Sequence, residues 1–277
     1  MYLSLRDKKL DLNSPKIMGI LNVTPDSFSD GGLFFLKDNA LKHAEQMIKD
    51  GAHIIDIGAE STRPGALDID DNEQLDRLLY VVSAIAENFD TIISIDTSST
   101  QVIKECVKQG AHMWNDIRAL GATDAIKTAK DLDVGICLMH MQGTPRSMQE
   151  NPTYEDVVGE VKDFLLDRAQ KCLDAGIDRD KIILDPGFGF GKSVNDNYKL
   201  LSHLNELKDT GYPILSALSR KSMLGAATGV KNAHDRLIGS VTGAVISILN
   251  GAQIVRVHDV KETNEALLVA KFVKDNR

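Results

Sequence analysis

Eight times along the chain a short apolar run ends in polar or charged residues, and that rhythm leaves few folds open. The first run, Lys16-Ile17-Met18-Gly19-Ile20-Leu21, stops at Asn22. The others stop near Asp56-Ile57-Gly58, Asp96, Asn115-Asp116, Met139-His140, Asp185-Pro186, Ser219-Arg220-Lys221 and Arg256-Val257-His258. Helix-like stretches lie between them. The pattern predicts an α/β chain folded as one (β/α)8 TIM barrel, a single domain over residues 1–277. A barrel of this kind gathers its chemistry at the C-terminal ends of its strands. Groups scattered from residue 22 to residue 258 are therefore expected to meet in one pocket.

The spacing predicts strands over 17–21, 54–57, 91–95, 113–115, 134–139, 181–184, 213–217 and 253–257. Helices are expected over 38–50, 72–88, 154–175 and 261–274, with shorter ones capped by Ser98 or Ser99 and around 123–132. Two connections are long for a barrel and are expected to carry function at its C-terminal face: loop 1 over 22–36 and loop 2 over 58–70. A length of 277 residues suits such a barrel.

The formal net charge of −8 disfavours a nucleic-acid partner and favours a small ligand. No run reaches the roughly 18 apolar residues that cross a bilayer, and Met1–Lys8 has no signal-peptide character. Cys106, Cys137 and Cys172 form no CxxC pair and read as small buried hydrophobes. A cytoplasmic protein is expected.

The run Asp185-Pro186-Gly187-Phe188-Gly189-Phe190-Gly191-Lys192-Ser193 imitates a phosphate-binding loop. The glycine that a P-loop needs five positions before Gly-Lys-Ser is Pro186 here, so the match fails. Two readings remain: a plain turn leaving a strand, or a loop whose backbone approaches a flat ligand, with Phe188 or Phe190 as a wall. Asp96 and Asp185, with Asn115, offer carboxylates and an amide to a planar heterocycle with an N–C–N–H edge. Arg256 and His258 alternate on the last strand, and with Arg63 and Lys221 they suit a phosphate or pyrophosphate, or else form an interior ion pair. His140 has weaker support. No His or Cys set has zinc spacing, whereas Asn22, with Asp26 and Asp30 nearby, suits one oxygen contact to Mg2+. No serine has a nucleophile setting, so the expected site has no covalent nucleophile.

With these residues on the page the chain resembles the dihydropteroate synthase family. Met18 to Gly32 (MGILNVTPDSFSDGG) is similar to the family's first signature, and Asp56 to Gly65 (DIGAESTRPG) to its second. Further matches are Ser94-Ile95-Asp96-Thr97, Asn115-Asp116, Met139-His140-Met141, the run from Asp185 to Lys192, Ser219-Arg220-Lys221-Ser222 and Arg256-Val257-His258.

The resemblance implies a transferase of folate biosynthesis. It joins 6-hydroxymethyl-7,8-dihydropterin diphosphate to 4-aminobenzoate, releases pyrophosphate, and is a sulfonamide target. It further implies that Asp96, Asn115, Asp185 and Lys221 hold the pterin and that Asn22 holds Mg2+. Thr62, Arg63, Arg256 and His258 would face the diphosphate. Phe28, Pro64, Phe190 and Ser222 would lie near the aminobenzoate. A homodimer through outer helices is also implied. Two competing readings are a pterin-dependent methyltransferase, which needs a cobalamin-bearing partner, and a non-catalytic pterin-binding paralogue. The presence of Asn22, Arg63 and Lys221 speaks against the second.

Overall fold

The strand-forming runs are β-branched and apolar on both faces, as strands buried on both sides must be. In the computed structural model, which describes residues 1–24, 32–60 and 69–276 (of 32–37 and 274–275 only the backbone), eight of them pair in parallel. In chain order they are β3 (Lys16–Asn22), β4 (Ile54–Gly58), β5 (Ile92–Asp96), β6 (Met113–Asp116), β7 (Gly135–Met139), β8 (Ile182–Asp185), β9 (Leu215–Ser216) and β10 (Ile254–Val257). Their order around the sheet is β8-β7-β6-β5-β4-β3-β10-β9, and a bridge between Leu184 and Ile214 joins the two ends. The expected barrel is there.

Helices cover its outside: α1 (Gly32–Lys49), α2 (Asp71–Asn88), α3 (Thr100–Lys108), α4 (Ala125–Leu132), α5 (Val157–Asp174), α6 (Val194–Ser202), α7 (Leu204–Lys208), α8 (Ser222–Thr228), α9 (Leu237–Leu249) and α10 (Val260–Asp275). Local signals set several ends. Asp70 accepts from the Glu73 N–H at the start of α2, Ser99 accepts from the Val102 N–H at the start of α3, and Ser193 with Asp196 forms a capping box on α6. Helix α1 starts six residues before the expected 38, inside the segment read as loop 1. Gly31-Gly32 and the unbroken run from Leu33 to Leu36 hide its periodicity.

Strand alternation divides the apolar residues in two. Ile17, Leu21, Ile55, Ile57, Ile93, Ile95, Trp114, Ile136, Leu138 and Val255 face the helices in one large core. Met18, Ile54, Ile92, Met113, Cys137, Ile183, Leu215 and Ile254 fill the barrel. The second cluster also takes Leu3, Leu5, Leu10 and Leu12 from an element absent from the sequence reading, an antiparallel hairpin of β1 (Tyr2–Leu5) and β2 (Lys8–Asp11). It plugs the N-terminal end of the barrel. Burial of Leu3 and Leu5, both 0% exposed, stabilises by about 1.5–3 kcal/mol each. Arg6 pins the turn through the Ala111 carbonyl at 2.9 Å. The strand-end polar groups thus stand at the open end of a barrel sealed at the other.

Candidate functional site

Period-2 alternation carries the interior positions upward. Above Met18 on β3 come Ile20 and Asn22; above Ile54 on β4 come Asp56 and Gly58; above Ile92 on β5 come Ser94 and Asp96. The register aligns Asp56 with Ser94 and Asp96 with Asn115. Arg256 of β10 pairs with Met18, and Asp185 of β8 with Met139. A layer of polar groups therefore lies over the apolar barrel filling.

Its centre is Arg256. The guanidinium donates from Nε to Asp56 Oδ2 and from Nη2 to Asp96 Oδ2, each at 2.6 Å. Asn115 donates from Nδ2 to the same Asp56 oxygen at 3.1 Å. Burial works against the Arg256 charge, but Asp56 and Asp96 more than offset it, so the group titrates above its ordinary range. Burial raises Asp96 well above the usual carboxylate range, against the pull of Arg256. Asp56 is fully buried, and among the described residues its Oδ1 finds no hydrogen-bond partner; nor does the buried Ser94 Oγ beside it. Buried polar atoms without partners are rare and costly. Here two of them share one layer of the barrel.

The opposite wall is built by the glycine-rich turn. Asp185 Oδ1 accepts from the Gly187 N–H at 2.7 Å. Burial raises the Asp185 carboxyl, while Lys221 and that N–H hold it back. Lys221 donates to the Phe188 carbonyl and sits 4.5 Å over the Phe190 ring. Burial lowers its ammonium to about 8, with Asp185 acting in the other direction. The turn's glycines explain themselves. Gly187 (φ 67°) and Gly191 (φ 61°) are left-handed, and a Cβ would stand 1.9 Å from the His140 carbonyl oxygen or 2.4 Å from that of Gln142. They let the turn lie against the end of β7. Phe188 points into the helix-facing core, so of the two candidate walls Phe190 is the one on the site side, packed with Met139 and Met148.

At the rim, the His258 N–H donates to Ser219 Oγ at 3.3 Å, and Ser219 Oγ stands 3.0 Å from His258 Nδ1. The Ser219 hydroxyl thus fixes both the backbone and the ring of His258, the direction of the ring contact depending on the tautomer. Ser222 is exposed at the first turn of α8, directly after Lys221. Asn22 closes β3 at the same end.

The structure thus brings Asn22, Asp96, Asn115, Asp185, Phe190, Lys221, Ser222, Arg256 and His258 to one end of the barrel. Of the two readings left open for Arg256 it shows the interior ion pair, with Asp56 and Asp96 as partners. Phe28, Thr62, Arg63 and Pro64 lie outside the described residues, as do Asp26 and Asp30. His140 is buried and turned to Lys192.

Two residues named in the sequence only as strand-end neighbours, with no role assigned, shape the site. Asp56 is one, the partner of Arg256 and Asn115. Arg220 adopts φ 60°, a strained setting for a non-glycine residue, and aims the next residue, Lys221. Asp259 holds its guanidinium at 3.1 and 2.5 Å, Ser240 Oγ accepts its N–H at 2.9 Å, and Arg236 donates to its carbonyl at 2.9 Å. Asp116, by contrast, serves its own loop, accepting from Ser98 Oγ at 2.5 Å and from the Arg118 and Leu120 N–H groups at 2.9 and 2.8 Å.

A family model described as pterin binding enzyme matches residues 18–258. A dihydropteroate synthase of Haemophilus influenzae is 52% identical over 97% of this chain and 98% of its own. Among solved structures, Yersinia pestis dihydropteroate synthase in complex with a sulfonamide drug superposes with a TM-score of 0.94 at 49% identity, covering 99% of this chain and 100% of that one. Xanthomonas albilineans dihydropteroate synthase in complex with 7,8-dihydropteroate gives 0.91 at 39% identity, with 99% of both chains covered.

Proposed function

The chain belongs to the dihydropteroate synthases, the transferases that join 6-hydroxymethyl-7,8-dihydropterin diphosphate to 4-aminobenzoate, and from that membership we propose how its residues divide the work. One observation carries the proposal: a buried layer of carboxylates and cations, with acceptors left unpaired in it, at the open end of the barrel.

The pterin's guanidine-like edge needs acceptors that carry charge. Asp185 and Asp96 supply them, and Asn115 adds an amide. Lys221 donates to the ring's acceptor side. Arg256 holds Asp56 and Asp96 in place and opposes the rise that burial causes in Asp96, so the floor of the site is organised before the ligand arrives. Thr62, Arg63 and His258 take the diphosphate, and Phe28, Pro64, Phe190 and Ser222 take the aminobenzoate.

The donor set fits magnesium through hard oxygen alone. Asn22 would contribute one amide oxygen, and the described residues contain no cluster of three His, Cys, Asp or Glu side chains, so diphosphate oxygens and water would complete the shell. The chemistry supplied there is neutralisation of charge on the diphosphate. The C–O bond to the diphosphate breaks first, both electrons leaving with it. The methylene carbon left behind is cationic and conjugated with the pterin, and the nearby carboxylates favour it. The neutral arylamine then forms the C–N bond and releases a proton. Positioning and electrostatics suffice, without a covalent nucleophile.

The direct test is an assay with the pterin diphosphate, 4-aminobenzoate and Mg2+, measuring dihydropteroate and pyrophosphate in equal amounts. Product formation after chelation of the metal would overturn the magnesium assignment. Pterin capture needs Asp96 and Asp185 ionised and Lys221 protonated. Acidification through the raised carboxylate values removes the acceptors, and alkalinisation through about 8 removes the ammonium. The kcat/KM for the pterin substrate should therefore be bell-shaped, with its alkaline limb centred near pH 8 and lost in Lys221→Met.

The proposed assembly is a homodimer. Helices α9 and α10 pack together and expose Ile238, Leu249, Leu268, Val269 and Phe272, the last 71% exposed, an apolar face that a second copy would cover. Light scattering should give twice the chain mass, and the chain mass for Phe272→Glu. No described helix is long and apolar enough to cross a membrane. The three cysteines are buried and unpaired, which supports a cytoplasmic location.

A further inference from the structure

The glycine-rich turn encloses an ammonium that has no part in the assignments above. Lys192 is 3% exposed. Its Nζ lies 2.9 Å from His140 Nδ1, 3.0 Å from the carbonyl oxygens of Gly187 and Phe190, and 3.4 Å from the His140 carbonyl. Burial lowers this ammonium to about 7, with Asp185 acting in the other direction; while protonated it only donates, so Nδ1 accepts and the His140 ring is neutral. Burial, reinforced by the Lys192 charge, pushes His140 down to about 3, which keeps it an acceptor throughout the working range. The ring is wedged edge-on against Phe164 at 5.0 Å.

These partners belong to different parts of the chain. His140 ends the β7 side, whereas Gly187 and Phe190 belong to the turn after β8. The turn is tied on its far side as well, where Asn197 Oδ1 accepts the Gly189 N–H at 2.7 Å and Tyr154 donates to the Gly191 carbonyl at 2.6 Å. What the turn offers to the pocket is the Phe188 carbonyl and the Phe190 ring, the two groups that hold Lys221.

We propose that Lys192 is a positioning residue for the pterin site: its ammonium pins the turn of residues 186–193 to the end of β7 and thereby sets the place of Lys221. The inference rests on Lys221 binding the pterin. A buried ammonium is a costly fastener. It is matched here by carbonyls that converge on it; the Gly187 carbonyl also accepts the Phe190 N–H at 3.1 Å, but an apolar side chain would take the ammonium from the Phe190 carbonyl and from His140 Nδ1.

The test compares Lys192→Met, Lys221→Met and the double variant, using pterin affinity by calorimetry without aminobenzoate. A second, ligand-free readout is the rate at which an amine-directed reagent labels Lys221, followed by mass spectrometry. Lys192→Met should weaken pterin binding roughly tenfold, and the double variant should bind within about twofold of Lys221→Met, because the effect passes through Lys221. Labelling of Lys221 should rise in Lys192→Met. Unchanged affinity and labelling would overturn the proposal. So would additive losses, which would mean a general structural role. Where Lys192→Met does not fold, His140→Ala removes one acceptor and should shift both readouts in the same direction by roughly threefold; no shift would overturn the proposal. If Lys221→Met leaves pterin affinity intact, the pterin reading of Lys221 fails, while labelling still decides the positioning.

Discussion

Replacement of Asp185 by Asn is expected to abolish detectable pterin binding and to cut turnover by more than about a hundredfold, while the protein stays folded. The substitution keeps shape and keeps an oxygen for the Gly187 N–H, which now lies 2.7 Å from Oδ1. What it removes is charge. A carboxylate accepts two parallel hydrogen bonds from a guanidine-like edge, whereas an amide accepts one and meets the other N–H with its own donor. Lys221 also loses its main opposing charge, which lets burial depress it further. Calorimetric titration with the pterin and a urea unfolding curve check both halves. Turnover within threefold of the parent, in a protein of unchanged stability, would show that the pterin edge lies elsewhere.

Arg256→Met is expected to act on stability as much as on turnover. Among the described residues, Arg256 alone donates charge-assisted bonds to both Asp56 and Asp96, whose side chains are 0% and 12% exposed. Removal of one partner from a buried ion pair typically costs about 3–5 kcal/mol, because the charge left behind has no partner. For a chain of this size that corresponds to a fall of roughly ten degrees in the midpoint of thermal unfolding. The pH dependence has a definite sign. Burial raises Asp96 to about 7 even against the pull of Arg256, and without Arg256 it ionises still less readily in the folded state, so the deficit is largest in alkali and shrinks as pH falls towards about 7. Equal stability of variant and parent at pH 8 would mean that the network contributes nothing to the fold.

The barrel and most of its site were legible because parallel strands impose two rules at once. Side chains alternate, so Asp96, Asp185, Arg256 and His258 had to face one side or the other. Strands also end together, so their last residues had to meet. The signal vanished where neither rule applies. The β1–β2 hairpin shows plain alternation at Leu3 and Leu5, and at Leu10 and Leu12, but nothing local announces that its apolar face plugs a barrel closed by strands as distant as β10. Arg220 looks like an ordinary lysine-flanked cation, and only Asp259, Ser240 and Arg236 together make its left-handed backbone tenable. Lys192 stands in a Gly-Lys-Ser setting that only imitates a phosphate loop, and nothing in that failed match says that the fold turns it onto carbonyls.

Composition and periodicity alone determined that this chain makes a parallel barrel and which residues stand at its mouth, since both follow from local preferences repeated eight times. Tertiary structure decided the pairing: that Arg256 descends to Asp56 and Asp96, that Lys221 meets the Phe190 ring but only the carbonyl of Phe188, and that a leucine hairpin seals the far end. Those choices depend on contacts between segments as far apart as residues 56 and 256. The chain's own order carries no record of such distances, and they come into being only when the barrel closes.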